Sequence, residues 1–434
     1  MSNCKHYAIC GLDSIQGEDF CILHSQNPEK DEEEFDKALA AHIVKNAHNS
    51  QHFVFPGRAN FSGVTFTEWA SFFYARFTQG ADFSHAKFTA SATIFEATFT
   101  NYTKFSEAEF AEWADFRVAT FNGQVSFGGA AFSAGASFSD AEFLTRAVFS
   151  NAEFMSDTSF VGATFAQGAD FSGTSFGNVV EFVRTRFLER TRFLSRQEKG
   201  KHIPIFFGTL VNFREVDMAP DAVVFQDADL RKCHFLGTDL RKTWFANVTW
   251  PEIIPMRWPR IGRRQGVYDE DSAEQKGDNR SIPHIEELYR QLKQNYEDRR
   301  DYERARHFHY GEKEMRRKNS GWGLSILLTV YRWVSGYGES YLLPLFWAGV
   351  LLAAITAAYF CGGLLVVNHE ANSMLSLTSI RDVGLYSLRA MTLLKPNDFV
   401  PIGFYGSFVN MIQSIFGPLL FGLFALALRQ RLKR

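Results

Sequence analysis

Between Phe61 and Phe193 one apolar side chain recurs every five or six positions, in alternation, on a background of Ser, Thr, Gly, Asp and Glu. The true period is eleven residues, and 24 of its 25 slots hold Phe, with Ile94 in the remaining one. Small residues stand two positions before most slots, as at Ala75, Ala86, Ala97, Ala108 and Ala119. An eleven-residue period also suits a right-handed coiled coil. Ser, Thr, Gly and Phe are poor helix formers, however, and slots five apart fall about 140° apart on a helix, so no stripe forms. Short strands wound into a solenoid satisfy the pattern. One large and one small residue face inward on each side, and coils stacked about 4.8 Å apart place Phe over Phe. The expected interior includes Phe61, Phe66, Phe83, Phe88, Phe105, Phe110, Phe127, Phe132, Phe149, Phe154, Phe171 and Phe176. With four sides to a coil, each coil takes 22 residues, and twelve periods make about six coils, roughly 29 Å of rod.

A second ladder, Phe225, Leu230, Phe235, Leu240, Phe245 and Trp250, is spaced by five. Around it read A-D-L-R-K (228–232) and T-D-L-R-K (238–242). From 53 to 250 the chain resembles the pentapeptide-repeat family, whose pattern is A-(D/N)-L-x-x, and the first ladder looks like its F-x-x-A-x-F variant. The resemblance implies a right-handed four-sided β-helix that serves as a scaffold for a protein partner. Some family members mimic DNA through an acidic surface. Here Arg58 to Asp170 holds twelve acidic and six basic residues, a bias mild enough to read as a solvated wall. The whole chain has 434 residues and a formal charge of −2, so no nucleic-acid partner is expected. No Ser/His/Asp, paired-carboxylate or glycine-rich phosphate pattern emerges, and no enzymatic activity is expected.

Three of the five cysteines fall near the start. Cys4, Cys10, Cys21 and His24 read C-x5-C-x10-C-x2-H. Three thiolates and an imidazole form the tetrahedral set that structural zinc prefers. His6 is a possible substitute ligand. With every position filled by protein, such a site stabilises a fold rather than catalysing a reaction. Residues 1–28 read as this zinc-knuckle-like cap, and 29–52 as an amphipathic helix leading to the solenoid. The first twenty residues carry Lys5, Asp13, Glu18 and Asp19 and no apolar run, which predicts a cytoplasmic N-terminus.

The mean hydropathy of −0.17 conceals two uncharged stretches. Residues 341–367 and 399–428 hold 27 and 30 positions without a charged residue or His. Each exceeds the roughly 20 residues that span a bilayer. Basic residues lie upstream (Arg316, Arg317, Lys318) and downstream (Arg429, Arg431, Lys433, Arg434), which places both termini and the solenoid on the cytoplasmic side. Residues 251–280 read as a linker, 281–320 as one charged helix with a stripe of Ile285, Leu288, Tyr289, Leu292 and Tyr296, and 321–340 as a helix lying in the headgroup region.

The stretch 368–398 contains an apolar segment, 382–394, too short to cross. Span, short helix, span is the layout of a potassium-channel pore. With Y-G-E-S (337–340), Y-S-L (386–388), Thr392 and the closing residues 413–434, the tail (second span 399–434) resembles the two-span, channel-like tails of some bacterial pentapeptide-repeat proteins. That resemblance implies a bacterial inner membrane and a homo-oligomer, by analogy a tetramer. The filter departs from T-V-G-Y-G: Thr392 is followed by Leu393, Leu394, Lys395 and Pro396. Asn410 and Gln413 either line a pore or hydrogen-bond between helices. Gly417 and Pro418 read as a hinge or kink. Two functions follow as expectations: an ion pore regulated by the solenoid, or a membrane-anchored scaffold without conduction.

Overall fold

The computed structural model describes residues 3–27, 29–46, 49–198, 200–253, 264–367, 380–394 and 399–432. The chain divides into two units, one ending at Arg299 and one beginning at Arg300.

In the first unit the Phe ladder winds into a parallel β-solenoid of about nine turns. Two-residue strands form four walls. Register proves the 22-residue coil: Phe55 pairs with Phe77, Asn60 with Asp82, Phe66 with Phe88, and Ser71 with Thr93. Phe105 lies 4.9 Å from Phe127 and Phe127 4.9 Å from Phe149, with planes nearly parallel, while Phe116 and Phe138 meet Phe127 edge-on at 5.3 Å. Offset stacks and edge contacts are the favoured aromatic geometries, so stacked Phe pack the rod together with buried Ala such as Ala108 and Ala119. The alternation of five and six has a backbone cause. The two five-residue corners each place one residue in the left-handed region, among them Gly63, Tyr74, His85, Glu96 and Val118, whereas the six-residue corners do so only where glycine stands, at Gly80, Gly135 and Gly168. Val118, a β-branched residue at φ +59°, shows how firmly the stacking imposes that turn.

The regular coil is broken once and then shortened. An antiparallel hairpin, 196–198 with 201–203, interrupts the seventh coil, so Val180 pairs with Val211. In the last coils the step falls to twenty, as Phe225 pairs with Phe245. Both ends are closed. At the start, α1 (Tyr7–Cys10) belongs to the Cys/His module, and α2 (Glu32–Asn46) lays Phe35 on Phe55 at 5.4 Å. At the far end, residues 251–280 are more than a linker. Within them α3 (Tyr268–Lys276) carries Asp269, which binds His234 and the Phe235 N–H at 2.9 Å each.

The single charged helix expected over 281–320 is two, α4 (Ile282–Asp298) and α5 (Tyr302–Asn319). Arg300 is left-handed (φ 61°) and Asp301 caps Arg304, which ends one helix and starts the next. The stripe of α4 is neither solvated nor an intersubunit seam. Ile285, Leu288, Tyr289, Leu292 and Tyr296 are buried in the first unit, where Trp250 donates to Tyr296 and Asn295 donates to the Leu240 and Thr243 carbonyls. These bonds hold α4 against the last coil, the covering that the exposed end of a solenoid requires.

The second unit is helical. After α5 come α6 (Trp322–Ser335), α7 (Leu342–Gly362), α8 (Ile380–Met391) and α9 (Gly403–Leu432). The first uncharged stretch is thus shorter as a helix than as sequence, 21 residues against 27, while the second is shifted toward the C-terminus at an equal length of 30. Each ends in a strand, 365–367 and 399–401, and the two strands pair antiparallel. The expected re-entrant segment is α8, packed against both long helices through Val383 and Tyr386 on α7 and Met391 on α9. Residues 368–379, Lys395, Pro396, Lys433 and Arg434 lie outside the described residues.

Candidate functional site

The Cys/His module has almost no apolar interior. Among the described residues before Asn27, the buried hydrophobic positions are Cys4, Cys10, Cys21, Ile22 and Leu23. What draws it together is the ligand set itself. The ligand atoms of Cys4, Cys10, Cys21 and His24 all lie within 4.8 Å of one another, and all four residues are buried. Cys21 Sγ is 3.2 Å from His24 Nδ1 and 3.6 Å from Cys10 Sγ, and Cys4 Sγ is 3.5 Å from His24 Nδ1. A tetrahedron with metal–sulfur bonds of about 2.3 Å and a metal–nitrogen bond of about 2.0 Å has edges of roughly 3.5–3.8 Å. The set therefore fits a tetrahedral ion.

Surrounding groups are compatible with such an ion. His24 Nε2 lies 3.1 Å from the Gln51 carbonyl, which assigns the ring proton to Nε2 and leaves the Nδ1 lone pair for a metal. Backbone N–H groups of His6 and Cys21 donate to Cys4 Sγ at 3.4 and 3.3 Å. Burial pushes the Cys21 thiol up to about 12, and burial followed by the nearby His6 pulls His24 down to about 4. Lys30 is also buried and donates to the Ile22 and Ser25 carbonyls at 2.7 and 3.2 Å, bracing the Cys21–His24 turn. His6, the substitute ligand, stands outside the set. Its ring stacks between Phe20 and His52, and His52 stacks on Tyr74 at 5.0 Å. Together with the Val54 N–H bond to the Leu23 carbonyl (2.9 Å), this column docks the module on the first coil. The roles of Lys30 and His52 depend on coil phase and carry no spacing signal.

The pore-like residues are placed differently from one another. Gln413 is fully buried, and its amide nitrogen lies 3.3 Å from the Tyr359 hydroxyl and 2.8 Å from Asn410 Oδ1. Tyr386 donates to the same Asn410 oxygen at 3.4 Å. These bonds tie α9 to α7 and α8. Thr392 closes α8 by donating to the Leu388 carbonyl at 2.9 Å. α9 runs on through Pro418, and Gly417 marks a close approach rather than a hinge, because an added Cβ would stand 2.7 Å from Met391 Cα. Gly417→Ala is expected to cost about 1–3 kcal/mol by overpacking. A lowered melting temperature of the detergent-solubilised chain checks this, and an unchanged one counts against the α8–α9 contact.

Tyr337 of Y-G-E-S belongs to a joint that sequence reading did not find. Its hydroxyl donates to Glu314 at 2.9 Å, and Arg317 and Arg332 donate to the same carboxylate at 2.6 and 3.1 Å. Burial raises the Glu314 carboxyl, but these three donors outweigh it and hold it below the usual range. The three helical segments α5, α6 and the turn before α7 are tied by this one acid.

A family model for pentapeptide repeats (9 copies) matches residues 94–142, 119–164 and 129–175. No curated protein and no solved structure matches the chain.

Proposed function

We propose that this protein is a membrane-anchored interaction rod, held by α7 and α9 and presenting the outer walls of its pentapeptide-repeat solenoid to a protein partner. One observation carries the reading. The rod interior is lined by buried Phe and Ala and offers no polar group pattern for a ligand among the described residues, and the same chain holds two helices, Leu342–Gly362 and Gly403–Arg429, with mean hydropathy 1.9 and 2.0 that leave most of their apolar surface uncovered. A soluble core helix would be covered. α6, with Trp322 85% and Leu327 64% exposed, suits the headgroup region. Arg316, Arg317, Lys318 and Arg429 favour a cytoplasmic rod, and the resemblance to the tails of bacterial pentapeptide-repeat proteins would make the membrane a bacterial inner one. Structural zinc at Cys4, Cys10, Cys21 and His24 would hold the rod's first cap, supplying cohesion that the module's few apolar residues do not.

An ion pore built by a homo-oligomer, a tetramer by analogy, is the second reading. It is favoured by α8, twelve residues wedged against both long helices. Against it stand the inward-turned Asn410 and Gln413 and the apolar exposed face of α9 (Phe404, Phe408, Met411, Ile415). Alkaline carbonate washing is expected to leave the full chain in the membrane pellet, and release by carbonate would sink the anchor. Reconstituted liposomes are expected to show no ion flux above protein-free vesicles. Flux that disappears on deleting residues 381–398 would replace the rod with the pore.

A further inference from the structure

With the interior closed, recognition falls to the walls, and one wall edge carries a repeated pair. Glu68–Trp69 recurs as Glu112–Trp113, 44 positions later, with Ala90–Ser91 in the same place on the coil between. Register makes that two coils, since Ala70 pairs with Ala92 and Ala92 with Ala114. At about 4.8 Å per coil the two pairs stand about 9.6 Å apart along the rod.

Both indoles are pinned to the coil that follows. Trp69 Nε1 donates to Thr93 Oγ1 at 3.0 Å. Trp113 covers Gly135, where an added Cβ would meet Cζ3 at 3.1 Å. Each ring leans one coil in the same direction, so the spacing is kept. Trp69 is 50% and Trp113 43% exposed, which leaves about half of each side chain open to solvent. Next to each Trp in the chain is an exposed glutamate, Glu68 or Glu112, which makes no hydrogen bond or ion pair among the described residues. Asp115 on the same wall, by contrast, is occupied by Arg117 at 2.8 and 2.7 Å.

We propose that these two Glu–Trp clamps bind an extended basic peptide carrying Lys or Arg at positions i and i+3. Each cation would lie on an indole face and against the adjacent carboxylate. A polyproline II chain has three residues per turn and rises about 3.1 Å per residue, so i and i+3 project to one side about 9.3 Å apart. That matches two coils. A β-strand repeats its face at about 6.6 or 13 Å and an α-helix at about 5.4 or 10.5 Å, so neither matches two coils as closely. The wall's own strands run across the rod axis, so a peptide lying along the axis finds no strand edge to pair with. Side chains alone must carry the recognition, as for other polyproline II ligands in aromatic-lined grooves.

The proposal rests on the reading that the walls bind the partner, and membrane retention tests the anchor separately. The experiment is fluorescence anisotropy of a fluorescein-labelled Lys-Pro-Pro repeat peptide with the detergent-solubilised full chain. Comparison peptides place the lysines four apart or replace them with glutamine. The three-spaced lysine peptide is expected to bind at least about tenfold tighter than either comparison. Trp113→Ala is expected to weaken it at least about fivefold. The double change Glu68→Gln, Glu112→Gln removes charge without volume and is expected to do the same, so the answer does not depend on how Trp113→Ala folds. Equal binding of the two lysine spacings, equal binding of the glutamine peptide, or full binding by the double variant would overturn the proposal.

Discussion

Purified chain is expected to carry about one zinc ion, and Cys21→Ser is expected to lose it. The effect should be large because residues 3–27 bury few apolar side chains of their own, and Cys21 touches both Cys10 and His24. Apparent binding free energies of structural zinc reach about 10–16 kcal/mol in peptides at neutral pH, and in a module without a core that energy is folding energy. Loss of the ion would free His24 from the Gln51 carbonyl and from Phe53, whose ring it meets edge-on at 5.0 Å. Metal analysis with limited proteolysis reads both consequences. Cys21→Ser or chelation should open residues 3–27 to protease while coils beyond the second remain protected. Cys233→Ser, a buried cysteine of the solenoid, should leave the metal in place. A chain that binds no zinc under reducing conditions, or a Cys21→Ser chain as protease-resistant as the parent, would remove the metal centre.

Phe127→Ala is expected to cost about 3–5 kcal/mol. Phe127 is fully buried, stacked on Phe105 and Phe149 and edge-on to Phe116 and Phe138, so truncation opens a cavity that four rings cannot collapse into. In a solenoid each coil is held mainly by its neighbours, so a central defect should also uncouple the two ends. Urea unfolding should show a lower midpoint and a broader transition. The chain supplies its own control. Ile94 occupies the same kind of slot between Phe72 and Phe116 and is 1% exposed. Phe127→Ile should therefore retain much of the stability that Phe127→Ala loses. Equal losses for the two would mean that ring stacking, rather than filled volume, holds the rod.

Much of this fold was legible because its period is written into the covalent chain. Slots at five and six residues, with Ala two positions earlier, admit few windings, and the 22-residue coil follows from four walls. The Cys/His set was legible for a similar reason: three thiols and an imidazole within twenty-one positions have few other uses. The two long helices announced themselves by absence of charge. What escaped were features that depend on phase between distant residues. Asn295 shows no sign in its own sequence that it will satisfy carbonyls more than fifty positions earlier. The stripe of α4 was visible, but nothing local says whether an amphipathic stripe meets water, a second subunit or the end of a solenoid.

Sequence by itself determined the rod, its aromatic interior, the Cys/His set and the two apolar helices, since each is a spacing or a composition. Only the tertiary structure decided how those parts are used. It turned Asn410 and Gln413 toward Tyr359 and Tyr386, made Gly417 a contact with Met391, and set Glu68–Trp69 two coils from Glu112–Trp113. The physical reason is common to all of them. A repeat specifies its own neighbours at a fixed separation, whereas caps, helix contacts and surface pairs join residues whose separation the chain does not constrain. Their partners are chosen only when burial and hydrogen bonding are satisfied together.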